Sequence, residues 1–213
     1  MRAFPLLLTS CITATAVPTA MHPTASASEQ SVSAALGGAY ATGENNSLIV
    51  IPHAEGWIRH PVGPGQISTH LGANVAHVGY RYDVLHLTDG FGLAIEPFLG
   101  GSYYRYESKP NNPMDPTQTQ SLLSFSIGIA PTFLIAAGPN FVYAVPKFGF
   151  QLIDNLEAMP GTDNTSSLYM LGLALGIDIG GGLSIEIGGH RIQSTENNAS
   201  PEWLIVPTLG VRH

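Results

Sequence analysis

The chain has 213 residues, of which 44% are apolar and only 11% charged, with a formal net charge of −7. That length suits one domain, but a soluble domain carries about 25% charged residues, so charge is scarce here. Lys and Arg are few and unclustered, which leaves no cationic face to neutralise phosphates and sets nucleic acid aside as a partner. After the N-terminal segment every apolar run is broken by Gly or a polar residue before about 18 positions, so no helix is predicted to cross a membrane. Any crossing must use strands.

The N-terminus reads as an export signal. Arg2 supplies a positive charge, Phe4 to Val17 a mostly apolar stretch, and Ala25-Ser26-Ala27 a small-x-small cleavage site. This predicts a signal peptide over 1–27 and one domain over 28–213. Leu8-Thr9-Ser10-Cys11 also fits the pattern that precedes a lipid-modified cysteine, which stays open as an alternative anchor. Cleavage after Ala27 removes the sole cysteine, and with it any disulfide or thiolate ligand.

Beyond the leader the chain alternates apolar and small or polar residues, as successive strand side chains do. In the first segment Val32, Ala34, Leu36 and Tyr40 oppose Ser33, Ala35, Gly37 and Ala39. The second, roughly Ile67 to Leu87, changes phase near Ala76-His77, which predicts a β-bulge. In the third, Leu93, Ile95 and Leu99 oppose Ala94, Glu96 and Gly100; in the fourth, Leu123, Phe125, Ile127, Ile129 and Phe133 oppose Ser124, Ser126, Gly128, Ala130 and Thr132. The fifth turns Val142, Ala144, Phe148, Phe150 and Leu152 one way and Lys147 and Gln151 the other. The sixth, Leu171 to Gly180, reads LGLALGIDIG, and the seventh opposes Leu183, Ile185 and Ile187 to Ser184, Glu186 and Gly188. Leu204 to His213 makes the eighth, although such closing strands usually end in an aromatic residue and this one ends in His213.

Connections alternate in length. A long stretch from about Gly43 to Gly65, loops over Lys109 to Gln120, Pro160 to Thr165 and Glu196 to Pro201, and tight turns at Thr88-Asp89-Gly90, Gly138-Pro139-Asn140 and Gly180-Gly181-Gly182 take turns along the chain. Bacterial outer-membrane barrels have short periplasmic turns and longer outer loops, and each crossing takes about 9–11 residues. The expected fold is therefore all-β, an eight-stranded antiparallel transmembrane β-barrel. Tyr103, Tyr104, Tyr106, Tyr169 and Trp203 fall near the outer ends of strands, where an aromatic girdle would lie.

The alternation points Arg81, Asp83, Glu96, Lys147, Asp178, Glu186 and His190 inward. Buried charges must pair, so these seven read first as a polar network filling a narrow lumen, and second as a conduit with His190 as a proton site. His53, Glu55 and His60 share the first long connection at a spacing that could suit zinc, but without fixed loop geometry no metal and no cofactor is expected. His190 and Ser194 are four apart on one strand, roughly 13 Å at about 3.3 Å per residue, too far for a nucleophile–base contact.

From Ser126 to Arg212 the chain carries Gly128-Ile129-Ala130-Pro131, the glycine-studded sixth segment, Gly189-His190-Arg191-Ile192-Gln193 leading to Asn197, and Glu202 opening the last strand. This run resembles the lipid A 3-O-deacylase (acyloxyacyl hydrolase-like) family. The resemblance implies an eight-stranded outer-membrane barrel in which a His, a Ser two residues on and an Asn follow an Arg-x-Gln, while a Glu of the final strand orients the His. On those positions this chain has Ser194, Glu196, Asn197 and Glu202, so the nucleophile and the base are both replaced. The expectation is a bacterial outer-membrane protein with a structural or surface-interaction role and no enzymatic one. Its expected partners are outer-membrane lipid, lipopolysaccharide and the barrel-assembly machinery. A deacylase-like hydrolase acting on lipopolysaccharide is the alternative.

Overall fold

The computed structural model describes residues 21–42, 48–87, 90–108, 118–156, 165–180, 182–195 and 202–213. Ten strands are found among them: β1 (Ser31–Thr42), β2 (Leu48–Val62), β3 (Gly65–Gly72), β4 (Val75–Leu85), β5 (Phe91–Ser108), β6 (Gln118–Ala137), β7 (Asn140–Asn155), β8 (Thr165–Asp178), β9 (Leu183–Ser194) and β10 (Glu202–Arg212). Each pairs antiparallel with its chain neighbours, and β1 also pairs with β10, so the sheet closes into a barrel. Val32 and His213 exchange backbone hydrogen bonds of 3.0 and 2.9 Å at that seam. The short connections at 63–64, 86–90, 138–139 and 179–182 lie at one end with the start of β1 and the end of β10; 43–47, 73–74, 109–117, 156–164 and 195–201 join strands at the other. We call these the turn end and the loop end. Gly138 takes φ +68° just before Pro139 in one of the tight turns, a conformation that favours glycine.

Ten strands replace the expected eight, for two reasons. Residues 48–62, read from sequence as loop, form β2, paired with β1 from Thr42 opposite Leu48 to Ser31 opposite Arg59. Pro52 and Pro61 obscure its alternation, yet Glu55, Trp57 and Arg59 are buried while Ile58 and His60 are exposed. The expected second strand is a hairpin, β3 and β4, folded at Ala73-Asn74 with His70 opposite His77. The phase change at Ala76-His77 therefore follows from a reversal of the chain, not from a bulge. The register shift in this region lies between Asp83 and Leu85, against β5. A single strand over 67–87 would run roughly 70 Å at about 3.3 Å per residue, far beyond a hydrocarbon layer. Of the Thr88-Asp89-Gly90 and Gly180-Gly181-Gly182 turns, Thr88, Asp89 and Gly181 lie outside the described residues.

Elsewhere the alternation sorts the two faces of the wall. On β8, Leu171, Leu173 and Leu175 are exposed while Ala174 and Asp178 are buried; on β9, Leu183, Ile185 and Ile187 are exposed while Ser184 and Glu186 are buried. Tyr103, Tyr169 and Trp203 are exposed towards the loop end, whereas Tyr104 packs against the interior cluster. The side chain of Tyr106 lies outside the described residues.

The inward glycines have a specific role. A Cβ on Gly172 would collide with the His190 ring, on Gly176 with the Tyr143 ring, on Gly128 with the Phe98 ring and on Gly100 with the His77 ring. In each case the two residues face each other directly across adjacent strands. Each glycine is thus the seat of a large lumen side chain on the next strand, as aromatic residues cover glycines in other sheets.

Two outcomes are expected in a urea refolding titration in lipid. Leu173→Arg, which puts a cation on the apolar face, costs about 2–4 kcal/mol. Gly176→Val costs about 1–3 kcal/mol by overpacking, and most of that loss disappears when it is combined with Tyr143→Ala. Additive losses would show that Gly176 is not the seat of Tyr143.

Candidate functional site

The strands place a dense set of polar side chains inside the wall. Arg81, Asp83, Glu96, Lys147, Asp178, Glu186 and His190 are all buried, with Lys147 and His190 at 0% exposure. Several of them have different partners. Arg81 and Asp83 on β4 pair at 3.0 Å, and Asp178 at the end of β8 pairs with Arg212 of β10 at 3.0 Å. Glu96 on β5 accepts from the Ser68 hydroxyl of β3. Glu186 on β9 turns to a stretch of chain that precedes β1.

Residues 21–27 of that stretch lie inside the barrel at the turn end, while Ser28 and Gln30 are exposed. Glu186 accepts the backbone N–H of Met21 at 2.9 Å and of His22 at 2.9 Å. The His22 ring bridges Ser184 Oγ at 2.7 Å and Thr208 Oγ1 at 2.8 Å. Burial holds this imidazole below its ordinary pKa, against the raising influence of Glu186. Neutral near pH 7, it has one donor and one acceptor nitrogen for two hydroxyls that serve either role.

A second group lines the wall formed by β2 to β5. Trp57 stacks on His70 with centroids 5.0 Å apart, His70 on His77 at 5.0 Å, and His77 meets Phe98 edge-on at 6.0 Å. Trp57 faces His70 and His70 faces His77 in the strand register, so the row runs around the wall. Glu55 Oε2 lies 2.8 Å from His70 Nε2, and the two Nδ1 atoms of His70 and His77 are 2.7 Å apart. Two ring nitrogens at that distance share one N–H, with the donor set by the tautomers, and the Glu55 carboxylate lies on the far side of the His70 ring.

The residues weighed for zinc are not brought together. Glu55 points inward and His60 outward, and the side chain of His53 lies outside the described residues. No group of three or more potential metal ligands occurs among the described residues. Of the deacylase-like positions, Ser194 is buried at the loop end of β9 and Glu202 opens β10 opposite Ile192. The side chain of Glu202, and Glu196 and Asn197 altogether, lie outside the described residues.

Trp57, Arg59, Gln66, His70 and His77 escaped the sequence reading because they were assigned to a loop and to a strand crossing its own turn. Two strict alternations, Glu55-Trp57-Arg59 and Gln66-Ser68-His70, carried the signal.

A closed antiparallel barrel with an apolar exterior and a polar, packed interior is a transmembrane barrel of the outer-membrane class, since closure pairs the backbone groups that hydrocarbon would otherwise strand. No protein-family model and no curated protein matches the chain. Among solved structures, the β domain of the Bordetella autotransporter BrkA is 11% identical, with a TM-score of 0.44 over 86% of this chain and 99% of that one. Ail, the attachment invasion locus protein of Yersinia pestis, is 9% identical, with a TM-score of 0.40 over 87% of this chain and 99% of that one. The outer membrane enzyme PagL is 11% identical, with a TM-score of 0.40 over 85% of this chain and 98% of that one. Likeness this remote says nothing about activity, and the class rests on the two faces of the barrel itself.

Replacing Glu55 tests the wall contact. Glu55→Leu removes the carboxylate that lies 2.8 Å from the buried His70 ring and is expected to cost about 1–3 kcal/mol. Glu55→Gln, which keeps an acceptor oxygen, costs clearly less in the same titration; equal losses would show that the His70 contact contributes nothing.

Proposed function

We propose that this chain is a bacterial outer-membrane barrel with a structural or surface-interaction role, presenting its loop-end connections to an external ligand, a host surface or lipopolysaccharide, and performing no chemistry. The observation that carries the reading is the contrast between the two faces. The outside is a band of Leu, Ile, Val and Phe, while the inside is filled by side chains such as Arg59, Arg81, Lys147, Glu186 and His190, none more than 1% exposed. Such an interior stiffens the wall and leaves the longer connections, at 109–117, 156–164 and 195–201, as the parts free to meet a partner. Outer-membrane lipid and the assembly machinery are the further partners this reading requires.

The replaced His and Ser positions support a non-enzymatic role, because a serine hydroxyl is a poor nucleophile until a base takes its proton. Lipid A from producing cells is expected to keep its 3-O-linked acyl chains, with Ser194→Ala making no difference by mass spectrometry. An epitope inserted at Asn112 should be reached by antibody on intact cells and one at Asp89 only after lysis. Deacylation abolished by Ser194→Ala would overturn the role, and reversed accessibility the orientation.

A further inference from the structure

The charged lumen side chains that meet residues 21–27 grip their backbone. Where the segment offers N–H groups it meets acids: Met21 and His22 on Glu186, and Ala27 on Asp83 Oδ2 at 2.6 Å. Where it offers carbonyls it meets arginines: Met21 O on Arg59 at 2.5 Å, Pro23 O on Arg212 at 3.1 Å and Thr24 O on Arg81 at 2.7 Å. Pro23 has no N–H to satisfy, and its neighbour Thr24 also receives Arg81 on its hydroxyl at 2.9 Å. Met21, His22, Thr24 and Ala27 are each at most 4% exposed. The gripping residues come from β2, β4, β9 and β10, on both sides of the β1 seam.

We propose that residues 21–27 stay in the mature protein as an internal peptide sealing the turn end of the lumen, and hence that export processing cuts on the N-terminal side of Met21. Cleavage after Ala27 would strip Glu186 of its backbone donors and Arg59, Arg81 and Arg212 of their carbonyl acceptors at one stroke, in an interior where unpaired charge is costly. The sequence holds a second small-x-small site, Ala14-Thr15-Ala16. It follows an apolar stretch from Phe4 to Ile12 that lies within the usual h-region length, so cutting there leaves the peptide intact. The inference rests on the outer-membrane reading.

Intact-mass measurement of the full protein, purified from the outer membrane of producing cells, tests it directly. The expected mass includes Met21 to Ala27; a chain starting at Ser28 overturns the proposal while leaving the barrel in place. Absence from the outer membrane would instead overturn the reading on which it rests. Occupancy of the lumen is read separately with Thr24→Cys, and with Met21→Cys should the first fail to fold. The thiol is expected to resist a water-soluble maleimide in the folded barrel and to react at least tenfold faster once the barrel is unfolded in urea. Equal reactivity in both states means that the peptide is outside, and also overturns the proposal.

Discussion

Everything in this protein depends on the closure of one hydrogen-bonded ladder. In hydrocarbon an unpaired backbone N–H or C=O has no water to turn to, so a sheet crosses a membrane only when its first and last strands meet. Here they meet along β1, which pairs with β10 on one side and β2 on the other, out to the last residue of the chain. The seam also explains why a segment as unpromising as 48–62 is a strand. Without β2 one edge of β1 would face lipid, so β2 forms with Pro52 opposite Gly38 and Pro61 opposite Gln66, each proline giving up a donor.

Once the ladder is closed, parity decides the destination of every side chain, and the interior must be solved as a packing problem. Glycines on one strand lie directly beneath rings on the next, so that His77, Phe98, Tyr143 and His190 fit a lumen they would otherwise overfill. Charges are solved the same way. Arg81 with Asp83 and Arg212 with Asp178 are paired side chain to side chain, while Arg59 and Glu186 each also reach main-chain groups of residues 21–22. An interior built on such complementarity holds its strands in register, because a one-residue slip would bring a ring against a ring and turn charge towards lipid.

This division between wall and contents explains what the sequence disclosed. The six segments from Leu93 onward were legible because lipid and lumen impose opposite demands on alternate residues, and the inward burial of Asp178 or Glu186 follows from parity alone. The strand number was not legible, because prolines dilute the pattern of β2 and because the two-residue turn at Ala73-Asn74, with only Gly72 and Asn74 to mark it, interrupts the alternation so briefly that it reads as a bulge. That one oversight also hid the stacked row of Trp57, His70 and His77, whose members are brought together by the β2–β3–β4 register. Pairing between inward residues depends on register and side-chain reach, which periodicity does not encode.

The peptide before β1 shows a deeper limit of sequence reading. Glu186, Arg59 and Arg212 reach main-chain N–H and C=O groups, which no side-chain pattern in Met21 to Ala27 announces; only His22 and Thr24 add side-chain contacts. Ala25-Ser26-Ala27 fits a cleavage motif because its residues are small, and smallness equally suits a peptide threaded into a crowded lumen. A cleavage motif describes what a peptidase accepts from an extended chain; whether the bond is offered depends on whether cutting precedes burial. If the upstream Ala14-Thr15-Ala16 is cut before the strands close, Met21 to Ala27 remain on the chain and are carried into the lumen.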